Sequence, residues 1–384
     1  MKHITIIGSG FAGLSAAAYM AKEGHQVTVI EKNEQAGGRA RSFESAGFTF
    51  DMGPSWYWMP DIFESFFKDF GKQPNDFYQL IRLDPSYQVL WEDLQLPLPA
   101  NFTELKTVFE SLEKGAGNQL ELFLKEAAYK YEVGIHKFVE KPGLSITEFF
   151  TLDVAKSVFK IDLLTSIHTH VRKYFSNPKL IQIAEFPILF LGALPKNTPA
   201  LYSLMNYADM KLGTWYPMGG MTELVKGMQQ LAMNLGVQFK FNESVLSFEY
   251  QNKSISKVIT DKNTCPTDAV IAACDYHHLE TAVLAPTYRN YTDDYWEKRK
   301  MAPSSILIYL GINKKLKNIL HHNLLFDAPF DQHAQELYTQ PQWPSDPLMY
   351  VNCTSASDPS VAPEGNENLM VLIPTAPGLI DTDE

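Results

Sequence analysis

The sequence predicts an α/β fold with a parallel, Rossmann-type nucleotide-binding sheet and a second domain that contains a β-sheet and a mostly helical insert. Two observations support this prediction. A strand, a glycine-rich loop, a helix and a second strand follow one another within the first 31 residues. The same strand pattern returns after residue 236, beyond a middle stretch with helical periodicity. The chain has 384 residues, of which 45% are hydrophobic and 20% charged, a globular composition with room for two domains.

The first structural unit lies at the N-terminus. Residues 3–7 are mostly apolar and predict a short buried strand, and residues 26–31 predict a second one. Between them, residues 12–23 place leucine and alanine on one face of a helix that Gly24 ends. This strand–helix–strand order predicts that the two strands are parallel.

A Gly-x-Gly-x-x-Gly loop, residues 8–13, connects the first strand to the helix. Gly8 permits the tight turn, Gly10 lets the backbone approach a pyrophosphate, and Gly13 allows the helix to pack closely on the strand. The N–H groups at the start of the helix attract phosphate. The loop therefore predicts a Rossmann-type nucleotide site, in which we include Phe11 and Ala12.

An acidic residue stands where such a site needs one. Glu31 lies 18 residues beyond Gly13 at the end of the second strand, where a carboxylate accepts a hydrogen bond from a ribose hydroxyl. Lys32, which follows it, is included in the predicted site. The alternative is a structural glycine turn followed by a surface acid.

Two further turns follow the acidic residue. Gly37 and Gly38 bring the backbone near a ligand, and Arg39 has the charge to neutralise phosphate, although a surface ion pair would also explain the arginine. Residues 50–55 form a second tight turn that contains Gly53, Pro54 and Ser55.

The middle of the chain is predicted to be helical. Apolar residues recur near a 3.6-residue period over 118–138 and again over 161–175, so a helical region is placed at about 100–210. Further strands are predicted at 236–239, 245–248, 269–273 and 304–312. We therefore assign residues 1–75 and 211–285 to a discontinuous nucleotide-binding domain, and residues 76–210 and 286–384 to a second, substrate-binding domain.

Composition excludes several classes of function. A net charge of −11 gives the chain no general attraction to nucleic acid. Its three cysteines have no metal-binding spacing and form no disulfide framework, which indicates a reducing compartment and no metal site. The N-terminus does not resemble a signal peptide, and no stretch approaches the roughly 18 apolar residues that span a bilayer.

The histidine pairs 277–278 and 321–322 are the most conspicuous candidates for acid–base chemistry. Neighbouring residues on a strand point to opposite faces, so neither pair is predicted to act as one dyad. A hydrogen-bonded structural role is expected for them, and the catalytic residues stay unknown.

Several ordered motifs narrow the comparison to one family. The turn Asp51-Met52-Gly53-Pro54-Ser55-Trp56-Tyr57 is followed by Trp215-Tyr216-Pro217-Met218-Gly219-Gly220-Met221, by Ala269-Val270-Ile271-Ala272-Ala273-Cys274-Asp275, and by Ser357-Asp358-Pro359-Ser360-Val361-Ala362-Pro363. Over essentially its whole length the chain resembles the bacterial phytoene desaturase family of amine-oxidase-like flavoproteins.

The resemblance implies an FAD-dependent carotenoid desaturase. It places FAD contacts at the residues already named, from Gly8 to the turn at Gly53, and adds Gly219, Gly220, Met221 and the backbone of Val245. The expected reaction removes a hydride from an allylic carbon of a long polyene, with a quinone or oxygen as the final electron acceptor. The resemblance implies that chains of this family continue into a glycine-rich C-terminal segment that closes the flavin site. This sequence has no match to that segment, so we expect the chain to be truncated.

The resemblance further implies a cytoplasmic protein that is peripherally bound to the membrane lipid surface. The helical insert is the expected docking surface, through apolar residues and nearby cations that suit anionic head groups: Phe149, Phe150, Val158, Phe159, Leu163 and Leu164, with Lys156, Lys160, Arg172 and Lys173.

Two other functions stay open. One is an amine or porphyrinogen oxidase of the same fold, which would share the N-terminal motifs. The other is an inactive fragment that binds carotenoid without turnover. Neither the carotenoid nor the number of double bonds introduced follows from the sequence.

Overall fold

A computed structural model describes residues 1–139, 144–145, 162–328 and 330–382. Four parallel strands form one sheet, in the spatial order β13 (Ala269–Ala272), β1 (His3–Ile7), β2 (Gln26–Ile30) and β9 (Gln238–Lys240). Strands from the two distant parts of the chain thus join in one sheet, as the α/β prediction requires.

Layers of structure cover both faces of this sheet. Helix α1 (Phe11–Lys22) and helix α8 (Thr222–Asn234) bury leucine, valine and alanine against one face. On the other face, Ile7 and Ile30 pack against a three-stranded antiparallel sheet. That sheet consists of β10 (Val245–Gln251), β11 (Ser254–Thr260) and β12 (Thr264–Pro266).

A second, mixed sheet of six strands has the order β14-β17-β16-β15-β6-β7. Its strands are β6 (Tyr87–Leu90), β7 (Gln95–Leu98), β14 (Ser304–Ile312), β15 (His322–Leu325), β16 (Met349–Asn352) and β17 (Glu367–Thr375). Two small pairs complete the strands: β3 (Ser42–Ser45) with β4 (Phe48–Asp51), and β5 (Leu80–Arg82) with β8 (Trp215–Pro217).

Helices of the middle region pack on the six-stranded sheet. The largest buried cluster joins them to β6, β7, β15, β16 and β17. The helices outside the parallel sheet are α2 (Pro60–Asp69), α3 (Phe102–Leu112), α4 (Ala116–Val133), α5 (Ile167–Val171), α6 (Pro178–Glu185), α7 (Leu204–Tyr207), α9 (Tyr276–His278), α10 (Asp293–Glu297) and α11 (Phe330–Tyr338).

The structure corrects one predicted helix. In place of a helix over 161–175, only α5 forms, because Ser166 is extended and pairs with Pro199. Its side chain then caps the helix by accepting from the backbone N–H of Thr169. The apolar residues after Ser166 are still buried. The spacing of apolar residues in the sequence therefore predicts which side chains are buried better than it predicts the length of the helix. The predicted helix 118–138 forms as α4, followed by a wider turn over Gly134–Val139.

No helix in the described part of the chain is long and apolar enough to cross a membrane. Of the expected docking residues, Leu163 and Leu164 are exposed, and Arg172 pairs with Glu185. Phe149, Phe150, Val158, Phe159, Lys156 and Lys160 lie outside the described residues.

Candidate functional site

The glycine loop joins β1 to α1 at the carboxyl end of the parallel sheet. Gly8 has φ +95°, and a side chain on Gly13 would place its Cβ 2.0 Å from the carbonyl oxygen of Gly8. Gly13 is therefore required by the close approach of helix and strand, as predicted.

Gly10 differs from its two neighbours in the loop. Its φ is −69°, an ordinary value, and a Cβ there would meet no protein atom within 4 Å. The protein's own packing does not need a glycine at this position. The open space beside Gly10 is a cradle that a side chain would fill, at the N-terminus of a 12-residue helix that attracts anions.

Glu31 is buried at the end of β2, 4% exposed. Its Oε2 accepts from the backbone N–H of Ser9 at 2.9 Å and from the Ser9 hydroxyl at 2.8 Å. Its Oε1 accepts from the backbone N–H and the side-chain amide of Asn33 at 3.0 and 2.6 Å. A carboxylate has about four acceptor positions, so all of those of Glu31 are used by protein donors, and a further hydroxyl could bind it only in place of one of them.

The two later turns continue the site from the glycine loop. A Cβ on Gly38 would lie 3.4 Å from the Cα of Gly10, and one on Gly53 would lie 2.2 Å from the carbonyl oxygen of Arg39. The three predicted turns thus form a continuous run of close backbone approaches along one side of the site.

Asp51 fastens this run to the turn before α8. Its Oδ2 accepts from the backbone N–H of Met221 at 3.0 Å, while its Oδ1 is buried without a hydrogen-bond partner. Gly219 and Gly220 have φ +98° and +107°, and a Cβ on Gly220 would lie 3.1 Å from Oδ1. Burial raises the pKa of Asp51 to about 6, against the opposing effect of backbone N–H groups of Met221 and Thr222.

Asp358 is not among the residues predicted for the site, yet it holds the same turn from the other side. It is fully buried, and its Oδ2 accepts from the backbone N–H of Gly219 at 2.6 Å and from Tyr216 at 3.0 Å. Burial alone would raise its pKa, but hydrogen bonds led by those from Ser360 lower it below the usual value. Asp358 belongs to the 357–363 motif, and only its surroundings in the fold reveal its role.

The remaining predicted residues surround this run. Phe11 lies 5.9 Å from the ring of Phe63, and Met221 is buried. Val245 is half-buried against Ile30 and Ile7, near the end of β2. The exposed members are Ala12, Lys32, Arg39 and Pro54.

Ser55 connects the turn to an apolar cleft on the six-stranded sheet. Ser55 Oγ lies 2.8 Å from the hydroxyl of Tyr350, and Tyr350 lines the cleft. The cleft has a volume of about 250 Å³, and its walls are mainly apolar, with Phe186, Leu324, Phe326, Leu348 and Leu372 among them. The cleft is therefore joined to the turn at residues 50–55 by a hydrogen-bonded pair.

The histidine pairs differ from expectation in one respect. The rings of His321 and His322 lie 4.5 Å apart, because His321 precedes β15 and does not follow the alternation of the strand. His322 is hydrogen-bonded to Tyr350, as a structural histidine is expected to be. His277 and His278 are exposed on α9.

The model of the flavin-containing amine oxidoreductase family matches residues 11–383. The chain is also 40% identical to the carotenoid 3,4-desaturase of Haloarcula japonica, over 99% of this chain and 77% of that protein. The chain belongs to the carotenoid desaturase family of flavin-containing amine oxidoreductases. It is accordingly a flavin-dependent oxidoreductase.

Other relatives and structures agree with this membership. The 1-hydroxycarotenoid 3,4-desaturase of a Flavobacterium species is 32% identical over 98% of this chain and 77% of that protein. The phytoene desaturase of Fusarium fujikuroi is 30% identical over 100% of this chain and 68% of that protein. Among solved structures, an oxidoreductase from Methanosarcina mazei superposes with a TM-score of 0.63 at 18% identity, over 98% of this chain and 79% of that one. It shares the fold.

The residues of this desaturase-family chain fit a flavin dinucleotide. The space at Gly10, the N-terminus of α1 and the buried acid Glu31 together suit a pyrophosphate with an attached ribose. The unpartnered Oδ1 of Asp51 and the two glycines of positive φ beside it lie at the other end of the same run.

Proposed function

We propose that this chain is an FAD-dependent carotenoid desaturase. The observation that carries the proposal is the apolar cleft, which ends at Tyr350 beside the Ser55 turn. A long polyene has no polar group to hold, so an apolar wall is the recognition that its chemistry allows. Bound FAD supplies the oxidant, a ring that accepts a hydride.

The FAD contacts follow the run of close backbone approaches. We propose that the pyrophosphate lies over Gly10 and Gly38, with Arg39 near it, and that the ribose hydroxyl displaces the Asn33 amide from Glu31. Gly53, Pro54 and Ser55, together with Gly219, Gly220 and Met221, would then lie beside the flavin ring, while the backbone of Val245 faces the adenine.

The chain's own residues position the substrate and keep water away. The aromatic rings of Trp56, Tyr87 and Phe186 lie within 5.3–6.0 Å of one another behind the cleft. With FAD bound, this aromatic cluster, of which Phe186 lines the cleft, would support a polyene C–H bond facing the cofactor and would exclude solvent from the reacting carbons.

Turnover in lipid tests the proposal. We would load the purified chain with FAD, mix it anaerobically with phytoene, a 1-hydroxycarotenoid or a diapocarotenoid in liposomes, and follow both the flavin and polyene absorbance bands. We expect the flavin band to bleach while the polyene band moves to longer wavelength. Bleaching with amines but with none of the polyenes would favour an amine oxidase instead.

We further propose peripheral docking to a lipid surface, with a quinone or oxygen as the final acceptor. The exposed Leu163 and Leu164, with Lys173 nearby, support docking through the helical region. Changing both leucines to Ser should reduce co-sedimentation with anionic liposomes and leave FAD content unchanged. Equal sedimentation of the variant and the parent would place the docking surface elsewhere.

A further inference from the structure

A hydrogen-bonded line leads from the Ser55 turn into the six-stranded sheet. The hydroxyl of Tyr350 lies 2.8 Å from Ser55 Oγ and 2.6 Å from Nδ1 of His322. All three residues are buried, and His322 is fully so.

The surroundings of His322 hold its ring in place and keep it neutral. The indole of Trp56 stacks on the imidazole with centroids 4.0 Å apart and planes 9° from parallel. Burial first, and the neighbouring His321 second, keep the pKa of His322 well below its usual range. A neutral imidazole has one protonated and one unprotonated nitrogen, so one of the two nitrogens is free to accept a proton.

The position of Tyr350 gives this line a function. Its side chain lines the apolar cleft, and its hydroxyl is bonded to Ser55 in the turn assigned to the flavin. If the cleft holds the polyene and the turn at Ser55 holds the flavin, this hydroxyl joins the two and is backed by a nitrogen base. The reaction needs such a group, because a proton must leave the carbon next to the one that loses hydride.

We propose that Tyr350 takes this proton from the polyene while passing its own hydroxyl proton to Nδ1 of His322. The inference rests on the proposed desaturase function. The C–H bond next to the oxidised carbon breaks, and its electron pair forms the new C=C bond. A new O–H bond forms at Tyr350, and the original one is replaced by N–H at His322. The two electrons of the departing hydride go to the bound flavin, the oxidant of the reaction.

A weak base is sufficient for this step. The positive charge that develops on the polyene makes the neighbouring C–H bond a strong acid, so the low basicity of His322 is no obstacle. A positioned proton acceptor contributes about 10²- to 10⁴-fold to a rate. His322 acts through Tyr350 and is therefore a positioning residue, whereas Tyr350 would contact the substrate.

The first test reads protonation directly and does not depend on turnover. In the FAD-loaded chain with ¹⁵N-labelled histidine, we expect NMR to find His322 protonated on Nε2, with Nδ1 accepting a hydrogen bond. Tyr350→Phe should move the Nδ1 resonance to that of a nitrogen without a donor. A proton on Nδ1 in the unaltered protein would overturn the inference, because that nitrogen could then accept nothing from Tyr350.

The second test separates chemistry from binding. Tyr350→Phe should lower kcat at least about 100-fold, with KM and FAD content within twofold of the parent. Tyr338→Phe is the matched control, a half-buried tyrosine at the end of α11, and it should leave kcat unchanged. A Tyr350→Phe enzyme with unchanged kcat would refute the proton transfer. An unaltered protein that oxidises no polyene would refute the proposed function instead, even with the predicted NMR spectrum.

Discussion

At the scale of single residues, the glycines of the site do different work. Gly13 is demanded by the protein, since any side chain would collide with the backbone of Gly8. A Cβ on Gly10 would meet open space and its φ is ordinary, so the packing of the protein does not require a glycine there. The motif requires glycine at both positions, and the structure shows that only Gly13 is required by packing.

Two alanine substitutions test this difference. Gly10→Ala should fold with an unchanged melting temperature, because its φ of −69° suits alanine, but should bind FAD at least tenfold more weakly. Gly13→Ala should destabilise the fold by about 1–3 kcal/mol or more through overpacking. Thermal unfolding with and without FAD measures both effects. A Gly10→Ala protein with full FAD affinity would contradict the proposal that the pyrophosphate binds at this loop.

A second residue-scale prediction concerns Asp51. Its folded pKa of about 6 lies above the ordinary 3.8, so the folded chain holds more protons than the unfolded chain between these values. The free energy of unfolding should therefore fall as pH rises from about 4 to 6, by up to about 3 kcal/mol. Asp51→Asn keeps an acceptor for the Met221 N–H and removes this cost.

The FAD-free Asp51→Asn protein should accordingly be more stable than the parent at pH 7 and equally stable near pH 4, as urea unfolding at the two pH values would measure. A gain of the same size at both pH values would mean that the carboxylate is not strained by burial. Half-buried Asp61, changed in the same way, is a poor control because it accepts a hydrogen bond from the hydroxyl of Tyr131. Asp76→Asn is also unsuitable, because Asp76 accepts a hydrogen bond from the backbone N–H of Gln73. Asp381→Asn is the better control, because Asp381 is exposed near the end of the described chain.

At the scale of elements, α4 is fixed to α5 by a buried lysine. Lys130 is 1% exposed, and its Nζ lies 3.0 Å from Asp162 Oδ2 and 3.3 Å from Nε2 of His170. It also donates to the carbonyl oxygen of Ala200 at 3.2 Å. Burial, followed by the charge of Lys130, lowers the pKa of His170 to about 4.

Lys130→Met should remove this contact and destabilise the fold by roughly 1–3 kcal/mol, because the buried carbonyl of Ala200 loses its donor while Asp162 remains partly exposed to water. With the cation gone and Asp162 still present, the pKa of His170 should rise. In the parent, His170 should reduce stability as pH falls from about 6.5 to 4, because the unfolded chain takes up the proton first. NMR titration of His170 measures the shift, and an unchanged pKa would show that Lys130 does not act on it. Exposed Lys125→Met is the control on the same helix.

At the scale of the whole molecule, the parallel sheet and its cradle were predictable, whereas the contacts that complete the site were not. Gly8, Gly13 and Glu31 lie in one local unit whose spacing carries its own meaning. Asp358 and Tyr350 reach the same place only through pairings between distant strands. The expected helix at 161–175 failed for a related reason, because Ser166 pairs with Pro199.

Narrowing the apolar cleft tests whether a polyene enters the molecule there. Ser304 is exposed, begins β14 and lines the cleft, so Ser304→Trp should narrow its mouth. We expect KM for a polyene to rise at least tenfold with FAD content unchanged. Ser254→Trp, at the exposed start of β11, is the matched control and should leave KM unchanged. If Ser304→Trp also left KM unchanged, the polyene would enter by another route.

The parallel sheet also constrains how the chain is made in the cell. Ile4 of β1 pairs with Ala269 of β13. One side of β1 therefore has no partner strand until the ribosome has produced most of the protein. At ordinary rates of translation that wait lasts on the order of tens of seconds. During it, β1, β2 and the apolar face of α1 remain available to chaperones and to other nascent chains. Yield should therefore respond to chaperone supply and growth temperature more than to the final stability of the folded protein.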